Sequence, residues 1–379
     1  MPRQSWYLLR IDFRLVLVVL ALMLVSLTVI SASTGPTVID PFKEGFFTSA
    51  TKSQLQWFIL GSGAFLFFAW IDYTKLREWT WFLYVATLIA LIGVLFLGST
   101  KNVNRWYHIP GLGIAIQPSE FAKLVVVLSL SWFLERQKKV AQNWRTTFQT
   151  AIIVGIPFLL ILKQPDLGTA LVLYPITLVI FYFGGIHPLV LRAMIIMGGI
   201  GLVVVLSIFS GLVPFEDLRP YATNVLKNYQ YERLNPDTFH QRASTTAIAI
   251  GGGFGTGWRK GDYSSGGWLP YPYTDSVFPA FGEMFGLVGL SFLMFLYYAL
   301  IYLCFQVTVV AKDDFGRLLS AGIAVYLAMH ILVNIGMMLG FLPITGVPLI
   351  LVTYGGSSTM ATMVALGILQ SIYSRRFMF

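Results

Sequence analysis

The sequence predicts an all-α polytopic membrane protein with ten transmembrane helices, one large extracytoplasmic loop and both termini in the cytoplasm. The first observation is composition: the 379 residues are 56% hydrophobic and 11% charged, whereas soluble domains carry about 25% charged residues. The second is a mean hydropathy of +0.72. The third is a series of ten apolar segments of roughly 17–25 residues or more, the length that a helix needs to cross about 30 Å of hydrocarbon.

The ten segments follow one another with short connections, apart from one long loop. They cover residues 13–33, 54–72, 79–98, 118–134, 147–163, 168–184, 188–212, 277–308, 318–340 and 356–374. The eighth segment is too long for one straight span, and Gly282, Gly286 and Gly289 mark places where it could bend. Residues 1–379 are therefore predicted to form a single membrane domain, with residues 213–275 as its large extracytoplasmic loop.

The basic residues indicate the topology of the chain. The formal net charge is +9, and most Lys and Arg residues outside the long loop lie beside apolar segments, in excess on the side that holds both termini. The positive-inside rule assigns that side to the cytoplasm. Because topology accounts for the charge, we expect no nucleic-acid partner. The first segment lacks a small-residue cleavage site and is predicted to be a retained span, and the single cysteine, Cys304, allows no disulfide within the chain.

Two charged residues begin the fourth segment, in "AIQPSEFAKLVVV". Charges inside a span are costly and are functional candidates by default. Glu120 and Lys123 are three residues apart and therefore lie on one face of a helix. They are either a mutually neutralising pair that lets the helix enter the membrane, or the wall of a polar cavity in which Lys123 meets a phosphate.

Two aspartates stand where polar connections meet apolar segments. Asp166 in "LKQPDLGTALVLY" and Asp275 in "YPYTDSVFPAFGE" could each be a helix N-cap, which stabilises a helix by about 1 kcal/mol. Alternatively, each carboxylate could face a polar site at the membrane edge. Glu283 lies about two turns beyond Asp275, which would place two carboxylates on nearly the same face of the eighth helix.

Two glycine-rich stretches suggest irregular backbone close to the membrane. "GGGFGTGWRKGD" does not follow a clear strand and lacks the GK[ST] of a phosphate-binding loop, so we interpret it as a re-entrant segment with N–H groups available to an anion, followed by Arg259. "GFLPITGVPLILVTYGG" is so apolar that it is predicted to dip back into the protein. The four histidines are too scattered for a metal set.

Five blocks of the sequence resemble those of the SEDS family (shape, elongation, division and sporulation), which includes the RodA and FtsW branches. They are "NRWYHIPGLGIAIQPSEFAK", "QPDLGTAL", "AIAIGGGFGTG", "LPYPYTDSVFPAFGEMFG" and "GFLPITGVPL…TYGGSS", and the resemblance extends over residues 12–376 in order. It implies a multi-pass enzyme of the bacterial cytoplasmic (inner) membrane. Such an enzyme polymerises lipid II, an undecaprenyl-diphosphate-linked disaccharide pentapeptide, into peptidoglycan on the outer face.

The resemblance also implies partners and site residues. The partners are lipid II, the nascent glycan, membrane lipids and a class B penicillin-binding protein that cross-links the strands. The essential aspartate of the family matches Asp275. Other family positions match Glu120, Lys123, Asp166, Arg105 with Trp106, and Arg233. The chain departs from the family pattern in having Tyr273 in place of His, Ser276 in place of Phe and Ile350 in place of Pro.

The implied reaction needs a base for a sugar hydroxyl and positive charge for a diphosphate. Asp275 is the candidate base, and Lys123, Arg233 and Arg259 are candidate cations, with Mg²⁺ or Mn²⁺ as a further option. Asp275 or Asp166 could instead hold that metal. Elongation by a RodA-type enzyme is favoured over division by an FtsW-type one, and a lipid II transporter (flippase) and a noncatalytic scaffold remain as alternatives.

Overall fold

Helices make up nearly all regular structure in the computed structural model, which describes residues 10–34, 45–97, 105–109, 114–164, 166–222 and 231–377. The long helices are α1 (Phe13–Ser33), α2 (Ser49–Trp70), α3 (Leu76–Leu97), α4 (Pro118–Arg136), α5 (Trp144–Lys163), α6 (Leu167–Phe183) and α7 (Pro188–Phe209), followed by α9 (Phe239–Gly251), α11 (Val277–Val310), α12 (Asp314–Met338) and α13 (Gly356–Ser374). Two one-turn helices are α8 (Arg219–Ala222) and α10 (Asp262–Ser265).

Each of the ten predicted segments is helical in the described part of the chain. Six described helical stretches are long and apolar enough to cross a membrane. They are Phe13–Ser33, Tyr73–Phe96, Trp144–Lys163, Pro188–Phe209, Val277–Val310 and Asp314–Met338. The other four predicted segments form α2, α4, α6 and α13. Among these, α6 has only 17 residues, and α4 carries the buried charges of Glu120 and Lys123.

The strand pair β1 (Tyr107–Ile109) and β2 (Ile114–Ile116) departs from the predicted all-α class. The strands are antiparallel, with Tyr107 opposite Ile116. Arg105 lies two residues before β1. Ser357, on the first turn of α13, donates a hydrogen bond to the carbonyl of Ala115 and accepts one from the N–H of Gln117. The hairpin therefore joins α4 and α13 at the end of the bundle that carries the candidate site.

The core surrounds α12, which is buried on nearly all sides and packs against α4, α6 and α11. A helix that is apolar around its whole circumference is expected at the centre of a bundle. By contrast, the most apolar stretch of α7 has no buried residue, and this helix packs against α6 at the periphery. Helices near the centre therefore position the polar groups described below.

The predicted bend in the eighth segment is confirmed at Gly286, whose φ of 63° and ψ of −162° interrupt α11. The glycine run after α9 supplies acceptors for two N–H groups that follow this interruption. The N–H groups of Leu287 and Val288 bond the carbonyls of Gly252 and Gly253. In return, the N–H of Thr256 bonds the carbonyl of Glu283 at 2.9 Å. The N–H groups of Gly255, Thr256 and Gly257 all bond carbonyls of the protein itself, so the predicted anion-binding role of this run is wrong for these three groups.

The irregular segment between α12 and α13 is buried, as its low polarity predicts. Residues Leu349, Ile350, Leu351 and Val352 are at most 2% exposed. Irregular backbone inside a membrane protein needs internal partners for its polar groups. Side chains from three helices supply them, because Asn334, His330, Tyr297 and Ser26 bond the carbonyls of Val347, Pro348, Ile350 and Val352. We call residues 341–355 the re-entrant segment.

Candidate active site

A cavity of about 450 Å³ opens beside the start of α11. It brings together three of the residues that the sequence analysis selected, namely Asp275, Arg105 and Arg233. The long loop, α9 and the re-entrant segment supply the other walls. The complete lining is Arg105, Glu232, Arg233, Thr238, His240, Tyr271, Asp275, Ile344, Thr345 and Gly346.

The backbone around Asp275 is held by three hydrogen bonds from the C-terminal part of the chain. The carbonyl of Tyr273 accepts from the N–H of Tyr354 at 2.9 Å. The carbonyl of Thr274 accepts from the hydroxyl of Thr353 at 3.1 Å. The carbonyl of Asp275 itself accepts from Nδ2 of Asn334 at 3.2 Å. Three successive peptide groups are therefore fixed, which orients the Asp275 side chain.

The Asp275 carboxylate is left available for a ligand. The residue that caps α11 is Ser276, so the interpretation of Asp275 as a helix cap is wrong. No described residue donates a hydrogen bond to its carboxylate oxygens. Partial burial raises the pKa of Asp275, and the charge of Arg233 opposes that rise. A carboxylate with a raised pKa and free lone pairs is suited to accept a proton.

Asp166 differs from Asp275 in that its oxygens are already occupied. It is the N-cap of α6 and accepts from the N–H and the hydroxyl of Thr169, at 3.2 and 2.9 Å. Its Oδ2 also accepts from Gln117 and Ser119, at 3.0 and 3.1 Å. The cap interpretation is confirmed. Asp166 ties α6 to the start of α4 behind the cavity, where Gly168 lets α6 approach the Thr345 carbonyl closely.

Glu283 does not join Asp275 in a polar groove. It is fully buried, and its two oxygens accept hydrogen bonds from the N–H groups of Tyr263 and Ser264, each at 2.8 Å. These N–H groups belong to the one-turn helix α10. The prediction of two carboxylates on one face is therefore wrong, since Asp275 precedes α11 and Glu283 binds the neighbouring loop.

Glu120 and Lys123 form a fully buried ion pair, with Nζ of Lys123 2.8 Å from Oε1 of Glu120. Nζ also lies 2.8 Å from Nε2 of His330, whose Nδ1 is 3.2 Å from the carbonyl of Pro348. Oε2 of Glu120 has no partner in the described residues. The pair is thus connected, through His330, to the re-entrant segment two residues beyond the cavity wall at Gly346.

The three candidate arginines have different environments. Arg105 donates from Nε to the carbonyl of Gln164 at 2.7 Å, and Arg233 donates to the carbonyl of Thr345 at 3.5 Å. Both also line the cavity. Arg259 is not part of the cavity lining: it bonds the carbonyls of Ser31 and Gly45, and its guanidinium lies 4.4 Å from the ring centroid of Trp258.

Sequence reasoning missed the residues that support Asp275 from distant segments. His240 lines the cavity, while Asn334 and Thr353 hold the Asp275 loop. His240 was grouped with three unrelated histidines. Asn334 gave a weak signal, as a polar residue within an apolar span, but nothing in the sequence indicated that it faces position 275.

No described residues form a group of three His, Cys, Asp or Glu side chains that could hold a metal ion. Asp166 is a poor metal ligand because its oxygens already accept four hydrogen bonds. Asp275 is the better candidate, since a Mg²⁺ site can combine one or two carboxylates with phosphate oxygens of the substrate.

These features define a helical membrane protein with the Asp275 carboxylate, two arginines and a histidine around a cavity at the end of the bundle. The chain belongs to the FtsW/RodA/SpoVE family of cell cycle proteins, whose family model matches residues 13–376. The resemblance found in the sequence is therefore confirmed.

Similar proteins cover almost the whole chain. Peptidoglycan glycosyltransferase MrdB of Escherichia coli K12 is 30% identical over 98% of this chain and 96% of its own length. Stage V sporulation protein E of Bacillus subtilis 168 is 31% identical over 96% and 98%. A solved structure described as "Structural coordination of polymerization and crosslinking by a peptidoglycan synthase complex" has a TM-score of 0.73 at 26% identity and covers 97% of this chain and 99% of that chain.

Proposed function

We propose that the protein is a peptidoglycan glycosyltransferase that polymerises lipid II into glycan strands during cell-wall elongation and shape maintenance. The observation that carries this proposal is the Asp275 carboxylate, which accepts no hydrogen bond from a described residue and shares a cavity with Arg105 and Arg233. Relatives that are named peptidoglycan glycosyltransferases support the reaction class. The elongation role rests on sequence resemblance to the RodA branch.

The proposed topology has ten membrane spans, with both termini in the cytoplasm of a bacterium and the cavity on the outer face of the inner membrane. The distribution of Lys and Arg supports this orientation. The large extracytoplasmic loop, residues 213–275, contributes Glu232, Arg233 and His240 to the cavity. An opening at this level would let the sugars and diphosphate of lipid II enter from water while the polyprenyl tail stays in the bilayer.

The reaction forms a bond between the acceptor sugar oxygen and the donor anomeric carbon. The bond from that carbon to the diphosphate breaks, and the diphosphate leaves with the electron pair. The acceptor hydroxyl loses its proton to the Asp275 carboxylate. A positioned general base typically raises the reaction rate about 10²–10⁴-fold. Arg105 and Arg233 stabilise the negative charge that develops on the leaving group.

The remaining candidate residues act at greater distance in this proposal. Glu120 and Lys123 supply paired charge behind the re-entrant segment, and their substrate-binding role requires the ion pair to open toward the diphosphate. Asp166 holds the starts of α4 and α6 in place. Arg259 would meet the substrate only along the outer edge of the protein, since its described contacts are with the end of α1 and residue 45.

A divalent metal remains part of the proposal as a cofactor, either Mg²⁺ or Mn²⁺. Asp275, with diphosphate oxygens, would hold it. Bound there, it would neutralise charge on the leaving diphosphate. Asp275 cannot readily hold a metal and accept the proton in the same step, so metal dependence of the purified protein separates its two possible roles.

The proposed protein partner is a class B penicillin-binding protein that cross-links the new strands. A solved structure with the same fold belongs to a peptidoglycan synthase complex of polymerisation and crosslinking, which supports such an assembly. Pairing the two activities would deliver each new glycan strand directly to the transpeptidase.

The proposal is tested by incubating purified protein in detergent with lipid II, with and without Mg²⁺ or Mn²⁺, and separating strands by length. The wild type should produce strands, and Asp275→Asn should produce at least about 100-fold less. Asp217→Asn, at an exposed aspartate of the same loop, is the matched control and should behave as the wild type.

Near-normal strand synthesis by Asp275→Asn would remove Asp275 from the catalytic step. A wild-type protein that moves lipid II between the leaflets of liposomes without making strands would be a transporter. Replacement of Asp275, Glu120 and Lys123 without effect on strands made by a complex with the transpeptidase would indicate a scaffold.

A further inference from the structure

His240 lies in the same cavity as Asp275, on the first turn of α9. Its position is fixed from two sides. Thr238 caps the helix by accepting from the N–H of Gln241 at 3.3 Å, and the His240 ring lies 2.6 Å from the hydroxyl of Ser276, measured at Nε2. Ser276 follows Asp275 directly, so the imidazole is attached to the loop that carries the carboxylate.

The hydrogen bonds of Ser276 determine which ring nitrogen of His240 carries the proton. The Ser276 hydroxyl donates its only hydrogen to the carbonyl of Pro270 at 2.6 Å. It therefore accepts a hydrogen bond from His240, which places the proton on Nε2. In the neutral ring Nδ1 is then an unprotonated base, and no described residue forms a hydrogen bond with it.

The charged and titratable groups around the imidazole come from each neighbouring element. Asp275 and Tyr271 belong to the loop before α11, Glu232 and Arg233 to the segment before α9, and Arg105 to the approach to β1. Partial burial lowers the pKa of His240, so the ring is neutral near pH 7. His240 thus presents a free base in the cavity that holds the candidate general base.

We propose that His240 is a second proton-accepting residue of the site, and that Nδ1 takes up the proton that Asp275 receives from the acceptor hydroxyl. This inference rests on the proposed glycosyl transfer. The proton moves from the sugar oxygen to Asp275, then to Nδ1, and then to water, which restores the carboxylate for the next addition. The diphosphate still leaves with its electron pair, so no further reactant is required.

The first test is the pH dependence of strand synthesis by His240→Gln. The glutamine amide can still donate to Ser276 but cannot accept a proton, so it keeps the anchor and removes the base. We expect the plateau rate to fall at least about tenfold. The acid limb should lose one ionisation, because only Asp275 then has to stay unprotonated. His187→Gln, at the start of α7, is the matched control and should keep the wild-type profile.

A plateau rate within twofold of wild type, or an acid limb that keeps the same number of ionisations as wild type, would overturn the proposal and leave His240 a structural anchor. In that case Asp275→Asn should still abolish synthesis, so the proposed function would stand.

The second test does not require activity. With four histidines in the chain, the imidazole NMR signals of protein labelled at histidine can be assigned with His240→Gln. We expect the titration midpoint of His240 to fall to lower pH in Asp275→Asn, because a neighbouring negative charge stabilises the imidazolium. An unchanged midpoint would show that the two groups do not interact, and would overturn the proposal even if the wild type made no strands.

Discussion

Asn334 on α12 donates from Nδ2 to the main-chain carbonyl of Asp275 at 3.2 Å, and the same nitrogen donates to the carbonyl of Val347 at 2.8 Å. One side chain thus joins the loop of the candidate base to the re-entrant segment. His330, one turn earlier on the same helix face, contacts the carbonyl of Pro348. This buried helix therefore aligns two irregular segments that line the cavity.

Asn334→Leu should reduce strand synthesis by about 100-fold while the protein remains folded. The substitution keeps the number and branching of the side-chain heavy atoms but removes both hydrogen bonds. A displacement of about 1 Å in a catalytic group can cost that factor. The measurement is kcat and KM for lipid II, together with the thermal unfolding midpoint in detergent. The loss should appear mainly in kcat, because Asn334 is not part of the cavity lining.

Asn143→Leu is the control for the same chemical change. Asn143 precedes α5, is exposed and makes no side-chain cap bond. It should leave both kinetic constants near wild type. If Asn334→Leu were equally harmless, the position of Asp275 would have to be set by Thr353 and Tyr354 alone.

Replacing the two aspartates with asparagine should change stability in opposite directions. Asp275 is partly buried and its carboxylate has no described hydrogen-bond donor, so its ionised form destabilises the fold. Asp275→Asn should therefore raise the thermal unfolding midpoint near pH 7. Asp166→Asn should lower it, by an amount equivalent to about 1–3 kcal/mol in the free energy of unfolding. Asparagine keeps one oxygen for the cap but turns an NH₂ group toward the three donors that now bond Oδ2.

The pH dependence of this pair has a defined sign. Because the pKa of Asp275 is raised in the folded protein, the destabilising ionisation is present above that pKa and disappears as the pH falls through it. The difference in unfolding midpoint between Asp275→Asn and wild type should therefore shrink toward acid pH. A difference that stayed constant down to about pH 4, close to the ordinary pKa of an aspartate carboxyl, would mean that ionisation of Asp275 is not its cause.

The helices could be predicted from the sequence because a helix that crosses a membrane must be both apolar and about 20 residues long. Both properties can be read directly from the residues. The first helix, Phe13–Ser33, begins and ends as predicted, and the interruption of α11 falls on one of three candidate glycines. The β1–β2 hairpin was missed, since two strands of three residues produce no detectable alternation. The partners of the glycine run were also missed, because they depend on a break in a helix thirty residues later.

For the site, the sequence could select polar residues but could not determine their partners. Asp166, Asp275 and Glu283 have equal status as carboxylates beside apolar segments. Only the fold shows that Thr169, Gln117 and Ser119 occupy the first, that the α10 backbone occupies the last, and that Asp275 stays open. His240 reaches Ser276, the neighbour of Asp275, through tertiary packing of α9, which no local pattern encodes.

Gly286→Ala should destabilise the protein and reduce strand synthesis. An alanine Cβ at this position would lie 2.4 Å from the backbone nitrogen of Gly255, and the backbone has a φ of 63°. Gly185→Ala isolates the effect of the positive φ, because Gly185 has a φ of 70° and no atom lies within 4 Å of an added Cβ. We expect a loss of about 1–2 kcal/mol for Gly185→Ala and a larger one for Gly286→Ala, measured by thermal unfolding. Equal losses would mean that α11 can move away from the glycine run.

The buried ion pair offers a test that separates folding from substrate binding. Lys123→Met leaves Glu120 charged, buried and without its partner, which should cost about 3–5 kcal/mol of stability. Adding Glu120→Gln removes the uncompensated charge, so the double variant should recover most of the unfolding midpoint. His330 loses the hydrogen bond from Lys123 in both variants. The difference in unfolding midpoint between them therefore reports the charge of Glu120 alone.

The double variant should nevertheless bind lipid II at least about tenfold more weakly than wild type, because the buried cation behind the re-entrant segment is gone. The measurement is a binding titration in detergent with the double variant and wild type at equal folded fraction. Arg317→Met, which removes an exposed cation at the start of α12, should leave the affinity unchanged. If the double variant were stable and bound lipid II normally, Glu120 and Lys123 would serve only to hold α4 against α12 in the bundle core.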